Sequence, residues 1–196
     1  MKNNLKLKLI AATALMLSVA QANALEWKGG KAVTLVCDTA NMEPVARTAS
    51  LLLKGDLKNV LNSELNIKAK GKTKGNTIIA KINAADFAYK KEAFKIDADG
   101  NTLRILASDS HGVAYALLEV SRLLGVSPWK WWADSKPQQM KSFSLKDDYT
   151  TAQAPSVEFR GIFINDEDWG LMPWASKTYE PTDIKGQIGP KTNARI

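Results

Sequence analysis

Apolar residues in this chain come in short bursts whose spacing marks out strands and helices in turn. Lys31 to Cys37 carries Val33, Leu35 and Val36 and reads as a strand. Asp38-Thr-Ala-Asn41 reads as a turn with a helix cap. From Glu43 to Asn62, Val45, Ala49, Leu52, Leu53, Val60 and Leu61 recur at helical spacing. The cluster Leu51-Leu52-Leu53 suggests that this helix lies on a sheet. Glu64 to Ala69 alternates weakly, and Thr77 to Ile82 is a better strand, rich in Ile and Thr. Phe94 to Ala98 and Leu103 to Ala107 alternate on either side of Asp99-Gly-Asn101, which predicts a hairpin.

A second helix is predicted over Gly112–Leu124, with Val113, Leu117, Val120 and Leu124 inward, Leu118 alongside, and Gly125 as its stop. Trp129, Trp131 and Trp132 follow. Residues 138–148 are polar and Lys-rich, with a short alternation around Phe143 and Leu145. Thr150 to Ser156 reads as a linker, which sets a domain boundary near residue 152. The elements before it predict an α+β layer with both helices on one face. After it, Val157 to Ile164 reads as a strand apolar on both faces, which needs neighbours that this segment does not supply. Gly170 to Gly186 shows no clear period, and Gly189-Pro190-Lys191 looks like a helix start.

The first residues change the picture of the rest. Lys2, Lys6 and Lys8 precede an apolar stretch, Leu9–Ala20, too short to span a membrane, and Ala22-Asn23-Ala24 is a small-residue cleavage signal. This predicts a signal peptide over 1–24, a mature start at Leu25, and a secreted or periplasmic protein. Its removal takes away three lysines and no acids, so the formal net charge falls from +7 to +4. The lysines are scattered rather than striped, which weighs against a nucleic-acid partner. A single cysteine, Cys37, excludes an internal disulfide, and in its apolar run it reads as a buried thiol rather than a nucleophile. The lone His111 excludes a multi-histidine metal site. Ser108 and Ser110 beside it read as helix caps.

The chemistry concentrates after the last strand, in Asn165, Asp166, Glu167, Asp168 and Trp169. Buried strands that end in acids and an aromatic are how barrel enzymes present catalytic groups. Burial and like charge can split the pKa values of neighbouring carboxylates, which suits general acid–base work, and glycoside hydrolysis is the reaction most associated with such pairs. Trp169, Trp174 and the Trp129–Trp132 cluster could stack on pyranose faces. Acidic loops are also ordinary solvated surface, and tryptophans ordinary core, so residue chemistry alone leaves both readings open.

A longer motif bears on the choice. Arg160-Gly-Ile-Phe-Ile-Asn-Asp-Glu-Asp-Trp-Gly-Leu-Met-Pro-Trp-Ala175, followed by Ile188-Gly-Pro-Lys-Thr192, closely resembles the opening of the catalytic barrel in family 115 of the glycoside hydrolases, the xylan α-1,2-glucuronidases. His111-Gly-Val-Ala-Tyr115 and Gly125-Val-Ser-Pro-Trp-Lys-Trp-Trp-Ala-Asp134 resemble the end of that family's N-terminal domain. Asn193 departs from the pattern, where an aromatic is expected.

After the signal peptide (1–24), the resemblance implies an α/β N-terminal domain (25–152) and, from 153 to 196, the first strand of a TIM-like (β/α)8 barrel, with the chain an N-terminal fragment inactive alone. It implies removal of glucuronic acid or its 4-O-methyl form from glucuronoxylan with inversion. Glu167 and then Asp166 are the expected catalytic residues, and Asn165, Asp168, Trp169 and Trp132 the expected sugar contacts. The Trp129–Trp132 loop either borders the pocket or joins the two domains. No metal or cofactor is implied, and the partner is a polysaccharide rather than nucleic acid or, after signal cleavage, a membrane. A homodimer is the candidate assembly. Two other readings stand beside this one: a non-catalytic carbohydrate-binding module, and the N-terminal domain of a family 67 glucuronidase or a hexosaminidase.

Overall fold

A computed structural model describes residues 25–130, 135–146, 148–163 and 171–178. The chain divides into two compact units, Met1–Pro155 and Ser156–Ile196. The first contains β1 (Leu25–Lys28), β2 (Val33–Val36), α1 (Pro44–Leu61), β3 (Leu65–Lys68), β4 (Thr77–Ile82), β5 (Phe94–Asp99), β6 (Thr102–Ala107), α2 (Ser110–Leu123), β7 (Ser142–Leu145) and β8 (Thr150–Gln153).

A six-stranded sheet runs in the order β3-β2-β4-β6-β5-β8. β2 is parallel to β3 and β4, and β4 is parallel to β6. The Asp99-Gly100-Asn101 turn, with Gly100 in the left-handed region at φ 54°, reverses the chain so that β5 lies antiparallel to β6. The strand period of two puts one apolar set on one face: Val33 and Leu35, Ile78 and Ala80, Phe94 and Ile96, Leu103, Ile105 and Ala107 are all buried. Register aligns them, Leu35 beside Ile78 and Leu103 between Ile78 and Ala98. Helices α1 and α2 pack on each other, α1 on β3 and α2 on β4, β5 and β6. Their stripes, Leu53, Leu57, Val60 and Val113, Leu117, Val120, complete one core. Lys81, Lys95 and Arg104 alternate to the other face and are exposed. This is the mixed α+β layer with its helices on one side that the hydrophobic pattern predicts.

Local chemistry sets the helix ends. Pro44 occupies the first turn of α1, where its missing N–H costs nothing, and Asn62 closes the helix in the left-handed region at φ 51°. Asp38–Asn41 is a turn, tied by Asn41 Nδ2 donating to Asp38 Oδ2 at 2.8 Å, but no side chain there caps α1. For α2 the cap is Asp109 rather than Ser108 or Ser110.

Three elements depart from the sequence reading. β1 was not anticipated. It pairs antiparallel with β7, and Trp27 and Phe143 meet with ring centroids 5.4 Å apart at 56°. Four residues are too few for periodicity to register, and the pairing spans most of the domain. Thr150–Gln153, read as a linker, is instead the edge strand β8, antiparallel to β5 with Thr151 beside Ile96. Edge strands face solvent with polar residues, so their composition resembles a loop. The third is Val157–Ile164, expected as a strand buried on both faces, of which residues 157–163 are described. Those described residues form no strand, and Phe159, Ile162 and Phe163 are 87%, 81% and 91% exposed. A strand exists only where a neighbour takes its backbone hydrogen bonds. Beyond it lies α3 (Leu171–Thr178), in a stretch without visible period, with Pro173 in its first turn and Ala175 fully buried.

Candidate functional site

The six residues that sequence reasoning assigns to a sugar site, Asn165, Asp166, Glu167, Asp168, Trp169 and Trp132, lie outside the described residues. What the structure describes is the framework around them in the chain. Phe163 ends the exposed stretch before the acids, and Leu171 opens α3 after them. Arg160 Nη1 donates to the Val157 carbonyl at 2.9 Å, a local turn in the approach.

The turn that carries Trp129 begins at the end of α2. Gly125 adopts φ 81°, and its N–H and that of Val126 donate to the Arg122 and Ser121 carbonyls. This closes the helix and turns the chain out. Ser127 Oγ then accepts from the Trp129 N–H at 3.1 Å, and the Ser127 carbonyl accepts from the Lys130 N–H at 3.1 Å. Lys130 Nζ reaches back to Asp56 Oδ1 on α1 at 2.6 Å. The result is a braced turn, Pro128–Lys130, that carries Trp129 with 64% of its surface exposed. An exposed indole on a fixed backbone is a flat apolar platform with one N–H donor, suited to stacking on a sugar ring.

Neither half of the brace was read from the sequence. Asp56 does leave a trace: it lies between Leu53, Leu57 and Val60, inside the apolar stripe of α1. An acid at such a position calls for a buried partner.

A second polar cluster sits where α2 begins. Asp109 accepts from the Gly112 N–H at 2.8 Å, the Glu92 N–H at 2.6 Å and the Ser108 hydroxyl at 3.0 Å. Burial pushes its carboxyl up, but these hydrogen bonds outweigh that and hold it below the ordinary aspartate value. Ser108 Oγ also accepts from the Ala93 N–H, and Ser110 Oγ from the Glu43 N–H. His111 Nδ1 lies 3.4 Å from Glu43 Oε2 at the surface. Each hydroxyl is occupied by backbone, so the cluster joins β5, α1 and α2 rather than forming a nucleophile and base.

Cys37 is buried, with its Sγ donating to Met42 Sδ at 3.7 Å. Burial, and secondarily the charge of Asp38, push its thiol up to about 11, the opposite of an activated nucleophile. No group of three or more His, Cys, Asp or Glu side chains that could hold a metal occurs among the described residues. No described helix is long and apolar enough to cross a membrane.

Comparison with known proteins bears on the family. The family model of glycosyl hydrolase family 115 matches residues 152–196. A solved family 115 4-O-methyl-α-glucuronidase with specificity for decorated arabinogalactans is 44% identical, covers 87% of this chain, and superposes with a TM-score of 0.74. The chain spans 24% of that protein's length. A family 20 β-N-acetylhexosaminidase from Streptomyces coelicolor A3(2) covers 80% of this chain and 28% of its own, at 16% identity and a TM-score of 0.54, a likeness of fold alone. No match is found among curated protein sequences.

Proposed function

This chain belongs to glycoside hydrolase family 115, and from that premise we propose that it is the N-terminal part of an α-glucuronidase that removes glucuronic acid, or its 4-O-methyl form, from plant polysaccharide side chains. The observation that carries the reading is where the family match falls. Residues 152–196 contain the run Asn165-Asp-Glu-Asp-Trp169, the densest acid-and-aromatic stretch of the chain.

In this reading residues 157–164 are the first strand of a (β/α)8 barrel that pairs only when later strands are present. Glu167 and Asp166 stand at its carboxyl end, with Asn165, Asp168 and Trp169 as sugar contacts. An inverting mechanism needs a second carboxylate about 6.5–9.5 Å away, with water between the two. One carboxyl protonates the departing glycosidic oxygen while the other takes a proton from the attacking water, whose oxygen bonds to the anomeric carbon. Trp132 is the remaining proposed sugar contact. The proposed substrates share a uronic-acid branch: glucuronoxylan, and the decorated arabinogalactan of the similar enzyme. Cleavage after Ala24 would leave Leu25, the first residue of β1, as the new terminus of a secreted or periplasmic protein. A homodimer is the proposed assembly of the longer enzyme.

The test compares two proteins. The isolated chain should release no uronic acid from glucuronoxylan or acidic arabinogalactan. A protein spanning the length of the similar enzyme should release it, with inversion at the anomeric carbon seen by proton NMR. Release by the isolated chain would overturn the assignment of a partial site.

A second reading is favoured by one observation, the exposed indole of Trp129. A carbohydrate-binding module would hold xylan without cleaving it, and unchanged affinity after Trp129→Ala would exclude that role.

A further inference from the structure

Four lysines stand apart from the rest of the chain. Lys68, Lys70, Lys72 and Lys74 alternate through Lys68-Ala-Lys-Gly-Lys-Thr-Lys-Gly75, and no acid occurs between Glu64 and Asp86. The lysines that looked scattered along the sequence therefore include one local strip. Lys68 ends β3, where its carbonyl accepts from the Cys37 N–H at 2.8 Å. Asn76 precedes β4, where its carbonyl accepts from the Thr34 N–H at 2.9 Å. Both ends of the strip are thus fixed, one to β2 and one to the residue that follows it. Gly71 at φ 124° and Gly75 at φ 76° bend the loop between these anchors.

All four side chains are exposed, and none has an ion-pair partner among the described residues. Other cations of this domain do find partners. Lys58 pairs with Glu64 at 2.9 Å, Lys95 with Asp97 at 3.0 Å, Arg104 with Asp99 at 2.7 Å and Lys130 with Asp56 at 2.6 Å. The pairing of Lys58 with Glu64 also removes the nearest preceding acid from reach of the strip. Unneutralised like charges held on one loop repel each other, and they attract a polyanion over about a Debye length, roughly 8 Å at physiological salt. The strip spans at most about 20 Å, enough for several sugar units.

We propose that the Lys68–Lys74 loop is a binding surface for the uronic-acid branches of the polysaccharide. This rests on the acidic substrate class proposed above. The carboxylates along such a polymer are spaced, weakly held charges, which an exposed lysine array suits better than a closed pocket. Its effect would be to keep the enzyme on the chain between cleavages.

The experiment measures binding of the full chain to immobilised glucuronoxylan and to the same polymer with its carboxyls reduced to alcohols, at low and at physiological salt. Wild type should hold the acidic polymer several-fold more tightly, and less so as salt rises. The triple variant Lys70→Gln, Lys72→Gln, Lys74→Gln should bind the acidic polymer about five- to tenfold more weakly at low salt. Replacing the same three by Arg should restore binding. Far-UV circular dichroism and the unfolding midpoint should not change, since the side chains are exposed. Equal binding to both polymers, or an unaffected triple variant, would overturn the proposal. So would tighter binding to duplex DNA than to glucuronoxylan at equal charge concentration, which would make the loop a nucleic-acid contact. Failure of the longer protein to release uronic acid would count against the family-based activity while leaving a lysine-dependent, carboxyl-dependent retention intact.

Discussion

Lys130 Nζ donates to Asp56 Oδ1 at 2.6 Å across 74 residues of sequence. The two ends of this pair are not equivalent: Asp56 keeps 8% of its side-chain surface and Lys130 keeps 27%. Removing the lysine strands a buried carboxylate, whereas removing the carboxylate frees a flexible ammonium to swing into water. Lys130→Ala should therefore cost about 2–3 kcal/mol and Asp56→Ala about half of that. The double variant should cost less than the sum, by about 1 kcal/mol or more, in urea unfolding of the full chain. Strict additivity would mean that the pair does not brace the tryptophan turn.

The start of α2 offers a test with a steric and an acid–base arm. A Cβ on Gly112 would collide with the Ala93 carbonyl oxygen, so Gly112→Ala must push β5 and α2 apart. Its expected cost is at least about 2 kcal/mol, read from the unfolding midpoint.

Asp109, which accepts the Gly112 N–H, has a folded pKa below its unfolded value. Its contribution is present above the unfolded pKa, near 4 as an ordinary value, and is lost as pH falls through the folded one. Asp109→Ala should therefore cost about 2 kcal/mol at neutral pH, and the gap to wild type should narrow below about pH 4. A gap independent of pH would show that the carboxylate charge contributes nothing.

Cys37 should be inert in the folded chain. With its thiol pushed up to about 11, little thiolate exists at pH 8, and burial blocks the reagent. A disulfide reagent should label it at least about 100-fold more slowly in buffer than in denaturant. The labelling rate should follow global unfolding as urea is raised. Fast labelling in buffer would mean that the β2 end opens locally.

The same physics explains what the sequence disclosed and what it withheld. Long periodic segments were legible: both helices and the Phe94–Ala107 hairpin follow from spacing and one glycine turn. Leu25–Lys28 was not, because a four-residue strand owes its existence to Phe143 and its neighbours more than a hundred positions away. Thr150–Gln153 reads as part of a linker because an edge strand wears the composition of a loop. The acids at 165–168 are legible through a motif and not through packing, because no periodicity marks the stretch around them. The Asp56–Lys130 brace lay between the two cases, visible as an acid in an apolar stripe but without a sign of its partner.

Phe159, Ile162 and Phe163 are almost fully exposed, so in the isolated chain their side chains bury nearly nothing. Replacing Ile162 and Phe163 with Ser should change stability by no more than about 0.5 kcal/mol. Leu103→Ala, deep beneath α2, serves as the contrast and should cost about 3 kcal/mol. Three large apolar side chains open to water also form a contact surface between molecules, so the double Ser variant should lower concentration-dependent self-association measured by light scattering. In a protein spanning the length of the similar enzyme the sign reverses. There the proposed barrel pairs the strand on both sides, and the same two substitutions should cost several kcal/mol and abolish uronic-acid release. Equal, small effects in both proteins would mean that this segment is not the first strand of a barrel.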